Sequence, residues 1–273
     1  MARRASIGVF DSGFGGLAIL KDVVKKLPQY SYVYLGDSAR APYGPRSSED
    51  IYAFTVQAIE FLFAKKCDLV ILACNTTSAE ALRKIQQTYL PKKHPTKRVL
   101  GVIVPALEEA AARSHSGRIG VIATEGTVAS GTFPREMNLR RKDARVFQQA
   151  APLLVPLVEA GEHRTKEANE LLIQYLRPLL AENIDTLILG CTHYGHLATR
   201  IKKIIGKRTS LISEGPVVAR KLAAYIMHHS EIESGLMRKK CVVFYSTEPS
   251  LHFRKLGTEF YGNTIRRVLR AKL

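Results

Sequence analysis

Residues 69–82 read Leu-Val-Ile-Leu-Ala-Cys-Asn-Thr-Thr-Ser-Ala-Glu-Ala-Leu. The apolar, partly β-branched run at residues 69–72 predicts a strand that is covered on both faces. Cys74 follows at its carboxyl end, and the short polar side chains of residues 75–78 are typical of a helix start. Ligands of open α/β sheets bind at the carboxyl ends of strands, and a helix N-terminus stabilises a thiolate. We therefore expect a functional site around Cys74.

A second segment of the chain repeats this arrangement. Residues 186–193 read Thr-Leu-Ile-Leu-Gly-Cys-Thr-His, which places Cys191 117 residues after Cys74. Residues 7–13, Ile-Gly-Val-Phe-Asp-Ser-Gly, likewise match residues 119–126, Ile-Gly-Val-Ile-Ala-Thr-Glu-Gly, at an offset of 112 residues. Two matches at similar offsets predict two related halves, each of which presents a cysteine at a corresponding loop.

Apolar runs alternate with helical patterns along the chain, which predicts an α/β protein with two related domains, each a mostly parallel sheet flanked by helices. Strands are predicted at residues 7–10, 32–35, 69–72, 99–104, 119–123, 146–150, 186–189, 210–213 and 241–245. Helices are predicted at residues 17–27, 48–65, 75–89, 105–113, 166–181, 194–205, 216–228 and 249–261. A linker is predicted at residues 90–98, and prolines are expected to break regular structure at residues 152–161. The motif spacing predicts one domain from residues 1–98 and 213–273, and a second from residues 99–212.

The composition bounds the class of protein. A chain of 273 residues, 46% of them hydrophobic, is expected to form one large or two medium globular domains. No run of 18 apolar residues occurs, so no membrane span is predicted. The few residues before the first predicted strand are too short for a secretory signal, so the cytoplasm is the predicted compartment.

Four cysteines are present, which is too few for a disulfide scaffold. No two of them form a CxxC or zinc-binding spacing, and no lysine suggests a Schiff base with a cofactor. We therefore expect neither a metal nor a cofactor. Cys67 and Cys241 adjoin apolar runs and are predicted to be buried and inert.

The chain is strongly basic, with a net charge of +17 and a pI near 9.8. Basic clusters lie at residues 92–94, 200–207, 238–240 and 266–272. No nucleic-acid motif accompanies them, which favours a solvated cationic surface over a specific polyanion site. The alternative to an enzyme is a non-enzymatic module whose basic surface binds nucleic acid or an acidic protein weakly.

Two loops follow the first two predicted strands. Residues 11–16, Asp-Ser-Gly-Phe-Gly-Gly, match neither GxGxxG nor a P-loop, and the aspartate favours an ammonium ligand over a phosphate. The alternative is a plain turn in which Asp11 or Ser12 caps the helix. Residues 36–47 contain two prolines, two glycines and two arginines, and a loop of this length is usually functional.

Two cysteine loops in related halves suggest a symmetric reaction. A racemase needs one group that removes a proton from a stereocentre and another that returns one to the opposite face. Cysteine can serve as either, because its thiol pKa of about 8.5 is readily lowered. The alternative is two buried structural cysteines.

Several separated motifs, at residues 8–17, 36–44, 73–76, 152–161 and 189–194, occur in the order found in the cofactor-independent glutamate racemases, and the chain resembles that family over nearly its whole length. The resemblance implies two α/β domains with the active site in the cleft between them. It also implies racemisation of L- and D-glutamate, with D-glutamate supplied for peptidoglycan and hence for cell-wall biogenesis and cell shape. A homodimer without a cofactor is the expected assembly. A related aspartate or hydantoin racemase is the closest alternative.

The same resemblance implies roles for individual residues. Cys74 and Cys191 would be the catalytic acid/bases, with Cys74 acting on D-glutamate and Cys191 on L-glutamate. The residues implied in substrate binding are Asp11, Ser12, Pro42, Tyr43, Gly44, Asn75, Thr76, Thr192 and His193. Asp37, Glu159 and Thr124 would support the thiols or the substrate. One departure is residues 212–216, Ile-Ser-Glu-Gly-Pro, because the family often has an aspartate directly after this strand, where this chain has Ser213 and Glu214.

Overall fold

Two parallel β-sheets form the framework of the protein in a computed structural model that describes residues 4–273. The six-stranded sheet has the order β10-β9-β2-β1-β3-β4, and the four-stranded sheet has the order β6-β5-β7-β8. Their strands are Ser6–Asp11 (β1), Tyr32–Gly36 (β2), Cys67–Leu72 (β3), Arg98–Gly101 (β4), Arg118–Ala123 (β5), Arg145–Ala150 (β6), Thr186–Gly190 (β7), Ser210–Ile212 (β8), Val242–Ser246 (β9) and Leu269–Arg270 (β10).

The two sheets repeat one strand order. The run β2-β1-β3-β4 has the same pattern as β6-β5-β7-β8, so β1 corresponds to β5 and β3 corresponds to β7. These are the strands that contain or precede the matching sequence motifs. The predicted α/β fold with two parallel sheets is therefore confirmed, and Cys74 and Cys191 follow equivalent strands.

Helices connect the strands and cover the sheets. They are Gly16–Lys26 (α1), Ser48–Ala64 (α2), Asn75–Glu80 (α3), Leu82–Lys84 (α4), Leu90–Lys93 (α5), Ile103–Arg113 (α6), Glu125–Ala129 (α7), Thr132–Asn138 (α8), Leu154–Glu159 (α9), Lys166–Ala181 (α10), Ala198–Ile205 (α11), Glu214–His228 (α12), Ser230–Glu233 (α13) and Leu251–Tyr261 (α14). A π-helical turn spans Ile85–Tyr89, and a 3₁₀ helix spans Thr192–Leu197.

The helix predicted at residues 75–89 is not continuous. It is divided into α3, α4 and the π-helical turn, and the break falls at Ala81, whose φ is −111°. The hydroxyl of Thr77 donates to the carbonyl of Cys74, and that of Ser78 donates to the carbonyl of Leu72. Such side-chain to backbone bonds compete with regular helix.

Two segments expected to lack regular structure contain helices. Part of the linker predicted at residues 90–98 is α5, and part of the proline-rich residues 152–161 is α9. Pro91 and Pro156 both lie in the first turn of these helices, where a proline removes no intrahelical hydrogen bond.

The strand predicted at residues 99–104 ends early. It is β4, which pairs with β3 in the six-stranded sheet, and α6 begins at Ile103. This strand therefore lies in the first sheet, although the predicted boundary placed it in the second domain. The division of the chain into two domains itself stays a prediction.

The apolar core joins the two sheets. Its largest cluster includes Val9 of β1, Leu17 of α1 and Leu189 of β7, all fully or almost fully buried. Helix α12 packs against both α1 and α6. This shared core fixes the carboxyl ends of β1, β3 and β7 near one another, which positions the loops described next.

The two remaining cysteines differ in environment. Cys67 is buried in β3, as predicted. Cys241 is exposed, and the prediction that it is buried is wrong, because β9 begins one residue later and Cys241 follows Lys240, whose backbone is left-handed with a φ of 51°. No helix in residues 4–273 is both long and apolar enough to span a membrane.

Candidate active site

Cys74 lies where β3 ends and α3 begins. It is the residue that precedes the first turn of α3, and only 7% of it is exposed. Its Sγ lies 3.4 Å from the hydroxyl oxygen of Ser12, which follows the neighbouring strand β1. The adjacent ends of two parallel strands thus bring a hydroxyl to this thiol.

Cys191 occupies the equivalent position after β7, at the start of the 3₁₀ helix. Its Sγ lies 3.8 Å from Nδ1 of His193, and Nε2 of His193 lies 3.0 Å from Oε1 of Glu159. The turn of the 3₁₀ helix directs the imidazole back towards the thiol, and α9 supplies the carboxylate. Thiol, imidazole and carboxylate form a chain in which His193 can exchange a proton with Cys191 while Glu159 orients the ring.

The electrostatics of the two thiols are coupled. Burial raises the pKa of Cys74, and the nearby Asp11 raises it further while the Ser12 hydroxyl lowers it. Burial also raises the pKa of Cys191 well above its ordinary value, a hydrogen bond from the His193 backbone lowers it, and negative charge on Cys74 raises it. Since each negative charge disfavours the other, the pair favours one thiolate and one thiol over two thiolates.

Both cysteines line one cavity of about 650 Å³. Twelve of the residues predicted for the site lie on its wall: Ser12, Pro42, Tyr43, Gly44, Cys74, Asn75, Thr76, Thr124, Glu159, Cys191, Thr192 and His193. They come from loops that follow strands of both sheets. The enclosed volume, two thiols and many hydroxyl and amide groups suit a small polar ligand.

Asp11 is predicted to bind substrate but does not line this cavity. Only 1% of it is exposed, and its Oδ2 accepts a hydrogen bond of 2.8 Å from the backbone N–H of Gly13. Burial raises the pKa of Asp11, whereas His193 and the backbone N–H groups of Gly13 and Gly16 lower it. The carboxyl group therefore lies beneath the loop that presents Ser12, within electrostatic range of the cavity.

Asp37 also lies behind the wall and organises the loop at residues 36–47. Its carboxylate accepts hydrogen bonds from the hydroxyl of Tyr43, from Nε of Arg40 at 2.6 Å and from Oγ1 of Thr247 at 2.9 Å. A fully buried carboxylate with three donors fixes the loop conformation. Asp37 thereby positions Tyr43 and Gly44 at the cavity.

Close contacts join the loops of the two sheets. The hydroxyl oxygens of Thr76 and Thr124 lie 3.1 Å apart. A Cβ added at Gly126 would lie 2.6 Å from the carbonyl oxygen of Gly44, so only glycine permits this approach. Thr124, an expected supporting residue, thus lies where the loops after β3 and β5 meet.

Sequence reasoning missed Glu214 as a site residue. It is 4% exposed, and its Oε2 accepts a 2.7 Å hydrogen bond from Nδ2 of Asn75. Burial raises the pKa of Glu214 to about 8, and the Asn75 bond lowers it only in part. In the sequence, position 214 differs from the family pattern but carries no sign of a role in the site, because its burial next to the Cys74 loop depends on tertiary packing.

Three further residues of the wall, Glu248, Ser250 and His252, also went unpredicted. They belong to the segment between β9 and α14, near the C-terminal end of the chain. No motif marks them in the sequence. Their one signal in the sequence is that this polar segment follows the apolar strand β9. Because β9 is parallel to β2, it ends at the same edge of the sheet as the other site loops.

Comparison with known proteins agrees with this arrangement. The sequence model of the Asp/Glu/Hydantoin racemase family matches residues 7–221. The chain belongs to this family. Glutamate racemase from Lactiplantibacillus plantarum is 36% identical over 264 residues, which cover 96% of this chain and 94% of the relative.

Solved structures of family members have the same fold. Glutamate racemase isoform RacE1 from Bacillus anthracis superposes with a TM-score of 0.90 at 33% identity, over 99% of this chain and 98% of that one. Glutamate racemase from Francisella tularensis, solved in complex with D-glutamate, gives a TM-score of 0.88 at 29% identity, over 100% of this chain and 98% of that one. The predicted family and the prediction of a racemase are thereby confirmed.

Proposed function

We propose that this racemase interconverts L- and D-glutamate without a cofactor, and that Cys74 and Cys191 are its two acid/bases. The observation that carries the proposal is that both thiols line one cavity, each at the end of an equivalent strand of a different sheet. Relatives named glutamate racemase match nearly the whole chain, and one of them was solved with D-glutamate.

The reaction transfers one proton in each of two steps. The thiolate of one cysteine takes the α-proton, its S–H bond forms as the Cα–H bond breaks, and the electron pair remains on the substrate. The thiol of the other cysteine then donates its proton to the opposite face of Cα and becomes a thiolate. Because negative charge on Cys74 raises the pKa of Cys191, two thiolates are disfavoured, and a thiolate that acts as base at one cysteine faces a thiol that can act as acid at the other.

The supporting groups at the two thiols differ. His193, held by Glu159, is placed to exchange a proton with Cys191. Ser12 is placed to donate a hydrogen bond to a thiolate at Cys74. We assign Cys74 to D-glutamate and Cys191 to L-glutamate, as the family resemblance implies.

The polar wall is the proposed substrate-binding surface. Hydroxyl, amide and backbone N–H groups of Ser12, Asn75, Thr76 and Thr192 suit the two carboxylates of glutamate. Asp11, buried beneath Ser12, would favour the substrate ammonium through its charge. Supply of D-glutamate for peptidoglycan and assembly as a homodimer belong to the same proposal.

The test replaces each cysteine separately by serine, since the hydroxyl keeps the size but hardly ionises near neutral pH. Circular dichroism follows racemisation from each enantiomer, and NMR in D₂O follows exchange of the α-proton. We expect Cys74→Ser and Cys191→Ser each to abolish racemisation. Cys74→Ser should still exchange the α-proton of L-glutamate, and Cys191→Ser that of D-glutamate.

The exposed Cys241 supplies the matched control, because Cys241→Ser removes a thiol that does not line the cavity. It should leave both activities unchanged. Near-normal racemisation by either single variant would contradict the two-base assignment, and activity of the double variant would remove the thiols from the reaction. A panel that includes aspartate and hydantoins tests the substrate, and a clear preference for one of them would overturn the choice of glutamate.

A further inference from the structure

Three side chains capable of binding a metal meet beside the Cys191 loop. One ligand atom each from His163, His196 and Glu259 lies within 4.8 Å of the other two. Ligand atoms arranged tetrahedrally around one transition-metal ion at bonds of about 2.1 Å lie about 3.4 Å apart. The three ligand atoms would therefore need to approach one another by up to about 1.4 Å. Glu259 is exposed and His196 is only partly buried, so both side chains have room to move.

His163 is the feature that points to a missing partner. It is only 8% exposed, and its Nδ1 is buried without a hydrogen-bond partner among residues 4–273. The ring meets that of His196 edge to face, with 5.7 Å between the centroids. Buried polar atoms in folded proteins nearly always have partners, so an unpaired ring nitrogen beside a second imidazole requires an explanation.

The chemistry of the group matches a particular class of ion. Two imidazoles and one carboxylate are typical ligands of Zn²⁺, Ni²⁺, Co²⁺ and Cu²⁺, whereas Mg²⁺ and Ca²⁺ prefer oxygen ligands. The sequence could not reveal this group, because its members lie 33 and 63 residues apart along the chain.

The position of the group relates it to the active site. His196 lies in the 3₁₀ helix that contains His193, and His163 follows α9, which contains Glu159. Glu259 belongs to α14, which follows β9 of the other sheet. Phe260 separates the group from the reactive imidazole, since its ring centroid lies 4.2 Å from that of His196 and 5.2 Å from that of His193.

We propose that His163, His196 and Glu259 form a binding site for a divalent transition-metal ion that links α14 to the 3₁₀ helix containing His193 and to the segment that follows α9. Coordination would restrain His193 and Glu159 from behind without contact to the substrate cavity. The site does not rest on the proposed racemisation, because none of its three residues lines the cavity that holds the two thiols, although His196 and Glu259 line a second cavity that also reaches Cys191.

Titration with Co²⁺ tests the site, because its absorption reports the ligand type. The protein carries no polyhistidine tag, which would bind the same ion, and a phosphine keeps its cysteines reduced. We expect one equivalent of Co²⁺ to bind with weak visible bands and without the intense near-ultraviolet band of thiolate ligation. The melting temperature should rise with Co²⁺ concentration, since an ion that binds only the folded state stabilises it.

Variants decide which residues hold the ion. Glu259→Gln, at an exposed position that should not affect folding, and His163→Ala should each weaken Co²⁺ binding at least roughly tenfold, since even outer-shell partners contribute about 10–100-fold. His115→Ala, at an exposed histidine elsewhere, is the matched control and should bind Co²⁺ normally. Unchanged affinity in Glu259→Gln and His163→Ala would overturn the proposal. So would a thiolate band that disappears in the Cys74→Ser, Cys191→Ser double variant, because the ion would then lie on the thiols.

Discussion

Gly15 lies where the first loop of the chain passes the Cys191 loop. A methyl group added at Gly15 tests whether activity requires the close contact between these two loops. A Cβ at this position would lie 2.0 Å from Oγ1 of Thr192 and 2.7 Å from Nδ1 of His193. Ordinary contact begins at 3.4 Å, so Thr192 would have to move by about 1.4 Å and His193 by about 0.7 Å. The φ of Gly15 is −57°, which alanine adopts without strain, so the effect would be steric alone.

The size of the effect follows from what these two side chains do. His193 lies 3.8 Å from the Cys191 thiol, and Thr192 lines the cavity. A displacement of about 1 Å at a reacting group can lower a rate by about 100-fold. This corresponds to about 2.7 kcal/mol in the activation barrier. Overpacking costs about 1–3 kcal/mol of folding stability, so Gly15→Ala should also melt at a lower temperature.

Circular dichroism of L- and D-glutamate solutions measures kcat/KM in both directions, and differential scanning calorimetry measures the melting temperature. Gly235→Ala is the matched control, because its Cβ would lie 3.4 Å from the carbonyl oxygen of Ile232, an ordinary contact, and neither residue lines the cavity. We expect the control to retain wild-type activity. A Gly15→Ala enzyme with activity within twofold of wild type would refute the reasoning, since the two loops would then accommodate the added methyl group despite these short distances.

Four further predictions concern charge and hydrogen bonding. Glu159→Gln should lower kcat from L-glutamate at least roughly tenfold, and less from D-glutamate, because it weakens the support of the imidazole at Cys191; steady-state rates from each enantiomer measure this. Asp37→Asn should raise KM and destabilise the fold by about 1–3 kcal/mol, because the hydroxyl of Tyr43 loses its charged acceptor; kinetics and denaturant unfolding measure both. Burial raises the pKa of Glu214 from 4.5 to about 8, so between these pH values the folded protein binds a proton at Glu214 that the unfolded chain has lost, and the folding stability should fall as pH rises from about 4.5 to about 8. Melting temperatures measured across this pH range should show the fall for the wild type and not for Glu214→Gln. If the net charge of +17 attracts anionic substrate, kcat/KM should fall with ionic strength, and a salt-independent value would contradict this.

Local sequence predicted the elements whose pattern agrees with their final environment. The strands after which the two cysteines follow are continuous apolar runs because both faces of a parallel sheet are covered. Helix α10 has the predicted bounds because its apolar positions recur at helical spacing and Thr165 caps its start. The prediction of one continuous helix over residues 75–89 is wrong because side-chain hydroxyls of α3 donate hydrogen bonds to the backbone in a buried setting, and no helical pattern in the sequence reveals such bonds.

The site was predictable where loops follow strands, and unpredictable where chain segments meet only in the folded protein. Ser12, Cys74 and Cys191 could be placed from strand ends alone. Asp11 and Asp37 both lie behind the cavity wall. The sequence could not show this, because it depends on the direction of each side chain. The residues that no motif marks enter by packing: Glu214 beside Asn75, His252 on the wall, and the three residues of the proposed metal site.

The two halves repeat one strand order but support their thiols differently, and only some kinetic parameters can report this difference. Cys74 has a hydroxyl partner in Ser12, whereas the corresponding Thr124 bonds instead to Thr76 and leaves Cys191 to His193. Enantiomers have equal free energies, so kcat/KM must be equal in the two directions for the wild type and for every variant. The asymmetry of the thiols can therefore appear only in kcat and KM taken separately, or in the exchange of the α-proton of one enantiomer. A variant of Glu159 that changed kcat equally from both enantiomers would show that the carboxylate supports the whole site and not the Cys191 step.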